Sequence, residues 1–280
     1  MNKLKIALCQ MQVEKEKKKN IEKAIEMLTK AKEENCNIAI LPEMFNCPYE
    51  NKYFKPYSEI INEENGGETV KAIKKIAKDL NLYIIAGSIP EIEEDKVYNT
   101  SMIVDNEGTL ITKHRKIHLF DIDVKGGVTF KESDTLTPGN KITLFDTPWG
   151  GKLGIMICYD IRFPELSRIM AIKGAKIIFT PAAFNMTTGP AHWDTLFKSR
   201  ALDNQVYMVG VAPARNENSN YVSYGNSLIT SPWGGNIIAK LDAKEDILFT
   251  EIDLDYENKI REELPLLRHR RKDIYSLTEI

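Results

Sequence analysis

The sequence predicts an α/β protein in which helices pack outside two stacked sheets, and three observations carry that prediction. First, the N-terminal third alternates short apolar strands with amphipathic helices, a β-α-β-α-β pattern that lays helices against a sheet. Second, Thr147-Pro148-Trp149-Gly150-Gly151 is echoed by Ser231-Pro232-Trp233-Gly234-Gly235, and each motif lies between two strands. Their glycines suit the positive φ of tight hairpin turns, and each tryptophan is expected to pack beside its own turn. Two such hairpins in two halves, each half with its own β-α-β unit, predict two sheets face to face. Third, several apolar strands stop abruptly at a charged or nucleophilic residue, the pattern of the site-bearing edge of an α/β sheet.

Taken in order, residues 4–9 alternate enough for a strand. The period then changes, with Ile21, Ala24, Ile25, Leu28 and Ala31 at helical spacing and charges between them. Residues 37–41 form a short apolar strand that ends at Pro42-Glu43. A second amphipathic helix aligns Val70, Ile73, Ile76, Ala77 and Leu80 and feeds a strand over 82–86. Strands over 99–105, 110–113 and 142–146 follow, joined by turns such as Asn106-Glu107-Gly108. Residues 153–157 return from the first Trp-Gly-Gly turn as a buried strand. Phe163-Pro164-Glu165 opens a helix, because proline is tolerated and acid favoured in a first turn. A strand over 175–180, a helix over 192–203 and a strand over 206–211 come next. Strands over 223–230, 236–241 and 247–252 close the sheet system. Residues 256–263 read as a helix, and the tail from Leu264 as extended and basic. No linker or composition shift divides 1–280, so one domain is expected.

Composition narrows the class. With 38 Lys and Arg against 40 Asp and Glu the formal net charge is −2, which gives no electrostatic case for nucleic acid or an anionic membrane. The lysine-rich run over 14–19 interleaves acids and reads as a solvated helix start. The four cysteines, Cys9, Cys36, Cys47 and Cys158, are widely spread with no C-x-x-C pair, which disfavours zinc and a disulfide framework and suits a reducing compartment. The chain enters a strand within its first residues, with no signal peptide and no membrane-length apolar run. A cytoplasmic protein is expected.

Three stretches break the apolar patterning where chemistry would sit. Leu41-Pro42-Glu43 puts an acid after a buried strand, His114-Arg115-Lys116-Ile117-His118 puts a basic cluster after the strand at Leu110, and Gly154-Ile155-Met156-Ile157-Cys158 ends a third strand on a thiol. An acid, a lysine and a thiol are the parts needed for acyl transfer: base, oxyanion partner and nucleophile. Each residue also has a plainer reading. Cys158 is equally a buried core thiol, Glu43 a capping residue and Lys116 a solvated side chain. His118, beside Leu119 and Phe120, reads as structural. His114 is four residues away, but the stretch has no helical pattern and no third ligand, so no metal is expected.

Together these blocks resemble the signature motifs of the nitrilase superfamily of carbon–nitrogen hydrolases, in that family's order and over essentially the whole chain. The resemblance implies a four-layer α-β-β-α sandwich of two mixed sheets. It also implies that Glu43 is the general base, Lys116 the oxyanion stabiliser and Cys158 the nucleophile. A second family glutamate falls on Glu132, which on its own reads as a loop charge.

Within the superfamily the chain is most similar to the omega-amidase branch, through 118–123 with 130–133, 184–193 and 200–205. Lys125-Gly126-Gly127 departs from the Pro-Gly usual there. The resemblance implies a cofactor-free enzyme that hydrolyses the terminal amide of 2-oxo dicarboxylic acid monoamides through a thioester, with a backbone N–H near Tyr159 as a second oxyanion donor. A distal carboxylate calls for a cation, and Arg162 is the candidate because a guanidinium grips a carboxylate bidentately. Its plainer reading is a surface pair with Asp160 or Glu165. Thr187 and Thr188 are candidate hydroxyl donors, Phe184 and Tyr49 candidate apolar walls, and Asn185 and Asn204 read as turn and helix-end residues. Deaminated-glutathione amidase, nitrilase or N-carbamoyl amine hydrolase activities share the three catalytic residues, and a non-catalytic scaffold of the same fold is the reading from another class. The resemblance also implies a homo-oligomer, commonly a dimer. The apolar tail at Leu264-Pro265-Leu266-Leu267, within about 255–280, is expected at the subunit interface.

Overall fold

A computed structural model describes residues 3–280. The first half runs β1 (Lys3–Gln10), α1 (Lys17–Glu33), β2 (Ile38–Ile40), α2 (Asn51–Tyr57), α3 (Glu68–Leu80), β3 (Tyr83–Glu93), β4 (Lys96–Val104) and β5 (Leu110–Arg115). A small hairpin, β6 (Asp121–Asp123) and β7 (Thr129–Lys131), leads to β8 (Thr143–Asp146) and β9 (Lys152–Ile155). Then come α4 (Pro164–Ile172), β10 (Ala175–Pro181), α5 (Gly189–Asn204), β11 (Tyr207–Val211), β12 (Leu228–Thr230), β13 (Ile237–Lys240), β14 (Asp246–Asp253) and α6 (Leu254–Glu263).

Two six-stranded mixed sheets result, ordered β14-β1-β2-β3-β4-β5 and β13-β12-β11-β10-β9-β8, beside the β6-β7 hairpin. In each sheet the three central strands are parallel (β1, β2, β3 and β9, β10, β11), and antiparallel strands flank them. The period of two along a strand explains the layering. Leu4, Ile6 and Leu8 of β1 join Ile38, Ile40, Ile155, Phe179 and Val209 in a core between the sheets. The intervening Ala7 and Cys9 face outward, onto Ala24, Leu28, Val70 and Ile73 of α1 and α3. On the other sheet Ile178 and Met208 meet Met170, Trp193 and Phe197 of α4 and α5. The four layers are therefore helix, sheet, sheet, helix.

Several sequence expectations are corrected. The two Trp-Gly-Gly hairpins do not mark two sheets, for β8-β9 and β12-β13 form opposite ends of the same second sheet. Of the strands expected to close the sheet system, β12 and β13 end the second sheet, while β14 crosses back to pair with β1 at the edge of the first. Periodicity identifies a strand but not its partner. Trp149 packs edge-on against Tyr83 at 4.8 Å, whereas Trp233 is 49% exposed. Only Leu228–Thr230 of 223–230 is strand, because the preceding backbone bonds elsewhere: Tyr224 N–H to Phe184 O, Asn226 N–H to Asp242 O, and Ser227 N–H to Gln10 Oε1. The helix expected at 192 begins at Gly189, with Pro190 accommodated in its first turn. The tail is not extended: the Arg268 and His269 N–H groups turn back to Pro265 O, and those of Ile274 and Tyr275 to Arg271 O.

Candidate active site

The carboxyl ends of β2, β5 and β9 each deliver one side chain to a common buried point. Glu43 follows β2 in a turn pinned to β3, where the Met44 N–H donates to Ser88 Oγ and the Phe45 N–H to Ser88 O. Gly87 makes that approach possible: a Cβ there would stand 2.0 Å from Pro42 O. Lys116 follows β5, and its N–H continues the ladder to Asn99 O at 2.8 Å. Cys158 opens a short 3-10 turn three residues beyond β9, with φ +48°, a left-handed conformation that costs energy for a side-chain-bearing residue.

Asp160 holds that turn. Fully buried, it accepts hydrogen bonds from the Ile157 N–H (3.0 Å) and the His118 N–H (2.8 Å). Its oxygens also face His118 Nδ1 at 2.8 Å and His114 Nε2 at 3.3 Å. Both histidines are thus structural partners of one aspartate. Burial alone would raise the Asp160 carboxyl, but the His114 and His118 bonds hold it far below the ordinary range. Arg200 ties the far side of the turn, donating to the Ile161 and Arg162 carbonyls.

Lys116 is fully buried between two carboxylates. Its Nζ lies 3.0 Å from Glu43 Oε1 and 2.9 Å from Glu132 Oε2. Glu132, in the turn after β7, is oriented by the Phe120 N–H and by the Tyr49 hydroxyl, each at 2.6 Å. Glu43 accepts from Asn99 Nδ2 at 2.8 Å and from the Ala183 N–H at 2.6 Å. Burial pushes the Glu43 carboxyl up, against the opposing pull of Lys116. Burial alone would lower Lys116, yet the Glu132 and Glu43 charges hold it above its ordinary value. Burial and then the Glu43 charge push the Cys158 thiol well up, so the resting group is the neutral thiol. A neutral nucleophile beside a base of raised proton affinity, next to a fixed cation, can perform base-assisted attack on a carbonyl carbon.

The structure therefore brings Glu43, Lys116, Glu132 and Cys158 together. Tyr49, expected as an apolar wall, also bonds Glu132 and accepts from Lys116 at 3.3 Å through its hydroxyl. Arg162 makes no ion pair with Asp160 or Glu165. Its guanidinium lies 4.8 Å over the Phe184 ring and 5.6 Å from that of Tyr159, with one terminal nitrogen 3.0 Å from His192 Nδ1 and its buried Nε without a partner. Thr187 lines a cavity of about 730 Å³ whose other walls include Tyr49, Phe130, Asn185 and Tyr221. The Thr188 hydroxyl is taken up by Asn185 Oδ1, which also caps the Thr187 and Thr188 N–H groups. Asn204 is, as expected, a helix-end residue, bonding Ser167 Oγ and Arg200 O. Sequence reasoning missed Asn99, Asp160, Ala183 and Tyr221. Asp160 alone carried a signal, an acid placed two residues after a candidate nucleophile.

Comparison with known proteins places these residues in context. Residues 5–262 match the carbon–nitrogen hydrolase family. Omega-amidase NIT2-A of Xenopus laevis is 48% identical over 279 residues, covering 100% of this chain and 99% of its own. Omega-amidase NIT2 of Homo sapiens is 44% identical over 277 residues, covering 99% and 98%. Among solved structures, Saccharomyces cerevisiae Nit3, a member of branch 10 of the nitrilase superfamily, matches with a TM-score of 0.89 at 41% identity, covering 96% of this chain and 97% of that one.

Proposed function

The chain belongs to the carbon–nitrogen hydrolase family of the nitrilase superfamily and is a hydrolase of amide C–N bonds; from that premise we propose that it is an omega-amidase acting on 2-oxo dicarboxylic acid monoamides. The single observation that carries this substrate class is Arg162. Among the described residues no acid pairs with it, its Nε is unpartnered, and it lies on Phe184 one short turn beyond the thiol. A substrate carboxylate supplies the missing partner, and the fixed length from Arg162 to Cys158 selects the amide at the other end.

Glu43 takes the Cys158 proton as sulfur attacks the amide carbon. Lys116 Nζ and the Tyr159 N–H hold the oxyanion, where fixed donors in a dry site act most strongly. The C–N bond breaks as Glu43 returns the proton to the leaving nitrogen, so ammonia departs and a thioester remains. Glu43 then deprotonates water, which attacks the thioester and releases the dicarboxylate and the thiol. Glu132 and Tyr49 keep the lysine in place. The cycle consumes one water and needs no cofactor.

Cys158→Ala is expected to abolish ammonia release from 2-oxoglutaramate while leaving the circular dichroism spectrum unchanged; turnover at the original rate would refute the nucleophile. Arg162→Gln is expected to raise KM for 2-oxoglutaramate at least tenfold, with a small effect on a neutral amide of the same length. An equal loss on both amides would remove the carboxylate role. A second reading, an amidase for a longer acyl chain such as deaminated glutathione, draws on one feature, the cavity of about 730 Å³ beside the cluster. Relative kcat/KM on the two substrates separates them.

A further inference from the structure

Tyr221 lies in the irregular segment between β11 and β12, where neither periodicity nor motif marks it. Its hydroxyl donates to Ala183 O at 2.6 Å, and the N–H of the same Ala183 donates to Glu43 Oε2 at 2.6 Å. Ala183 follows β10 by two residues, between Ala182, whose N–H still bonds Val211 O, and Phe184, whose carbonyl accepts from the Tyr224 N–H, and its own N–H and carbonyl are taken up by these two bonds. The Tyr221 ring centroid is 4.6 Å from that of Tyr49, whose hydroxyl bonds Glu132 and accepts from Lys116. One side chain thus braces both residues that orient the acid and the lysine. Burial, and then the Cys158, Glu43 and Glu132 charges, hold its phenol well above the ordinary tyrosine value, so the hydroxyl remains a donor.

We propose that Tyr221 is a positioning residue for the carboxylate base: its hydroxyl fixes Ala183 so that the Ala183 N–H stays aimed at Glu43. The inference rests on the reading of Glu43 as general base. Without the anchor on its carbonyl, Ala183 can rotate away and weaken the bond that favours the ionised carboxylate. The other groups facing Glu43 come from separate elements: Tyr49 ahead of α2, Lys116 beyond β5, Glu132 beyond β7, Cys158 beyond β9 and the Asn99 amide of β4. Removing the Tyr221 hydroxyl leaves all of them in place, so the change isolates the Ala183 bond.

Tyr221→Phe keeps the ring and removes the hydroxyl. It is expected to lower kcat about fivefold to tenfold with KM within about twofold. The acid limb of kcat/KM should move to higher pH, because the base works only when ionised and its ionised form has lost a donor. Tyr221→Leu, which removes the ring as well, should show the same limb shift, for the hydroxyl is the group lost in both. An unmoved acid limb in the Phe variant overturns the proposal, whether accompanied by unchanged kinetics, a rise in KM alone or a lower unfolding midpoint alone. Glu43→Gln assayed in parallel separates the two levels. Wild-type activity in that variant would sink the base assignment itself, whereas an inactive Gln variant beside an unaltered Phe variant sinks only the Tyr221 inference.

Discussion

A fully buried lysine between two fully buried carboxylates is a costly arrangement, and Lys116 carries its electrostatics. Burying three charges is repaid only when each is hydrogen-bonded, and here Asn99, Ala183, Phe120 and Tyr49 supply the remaining bonds. Lys116→Met should therefore cost about 3–5 kcal/mol near neutral pH by leaving the carboxylates uncompensated. The sign of the pH dependence follows from Glu43, which burial already raises with the lysine present. Without the lysine it rises further. A carboxyl whose folded pKa exceeds its unfolded one gains stability as pH falls, because the folded state binds the extra proton. The loss should thus be full near about pH 8 and shrink toward the ordinary carboxylate range. Urea unfolding of both proteins at two pH values measures this, and a difference that widens on acidification would contradict it. Residue type alone does not announce this lysine, since neighbouring basic residues make it read as solvated.

At the scale of elements, the site is a meeting of strand ends, and Asp160 links two of them. Its oxygens accept from the nucleophile turn at Ile157 and from His118 two residues past Lys116, so a single carboxylate spaces the thiol from the cation. The depressed Asp160 pKa means its contribution is present above the ordinary carboxylate value and lost only as pH falls through the folded one. Asp160→Asn, which cannot accept on both sides, should cost about 2–3 kcal/mol at neutral pH and lower kcat through the loosened Cys158 turn. Chemical denaturation gives the first number; a midpoint equal to that of the parent would rule the clamp out. Two of these strand ends were legible in the sequence, because Glu43 and Cys158 each end an apolar run, whereas Lys116 follows a largely polar strand and was marked only by its basic cluster and by resemblance. Glu132 was legible only by resemblance, since a three-residue strand and a 3-10 turn leave no periodic trace.

For the whole molecule, α5 and the β12-β13 turn expose two large apolar side chains side by side. Leu202 is 47% and Trp233 49% exposed, and Gly234 lets their segments meet, since a Cβ there would lie 2.3 Å from Leu202 Cβ. The tail crosses the outer layer of α4 and α5: Leu277 lies beside Arg168 and Asp203, and Glu279 bonds Lys173 and the Ile142 N–H. Adjacent exposed apolar side chains of this size favour burial by a second copy, and we propose a dimer through this face. Sedimentation velocity should show a dimer that Leu202→Glu converts to monomer with unchanged unfolding. A monomeric parent would end that proposal. No helix among the described residues is long and apolar enough to cross a membrane.

The sequence by itself determined the α/β class and most of the elements, and marked the acid and the thiol as candidates, because hydrophobic period and its interruption are local signals; the lysine was picked out by resemblance. Only the tertiary structure decided which strand joins which sheet, because one pleated strand pairs as readily with another and the choice is made by packing. That is why the two hairpins fell on one sheet and β14 returned to β1. It also decided that Tyr49 bonds the lysine and its glutamate, that Asp160 joins two turns, and that Tyr221 and Ala183 hold Glu43. Those contacts join residues 38 to 140 positions apart, and no local pattern encodes a distance across the fold.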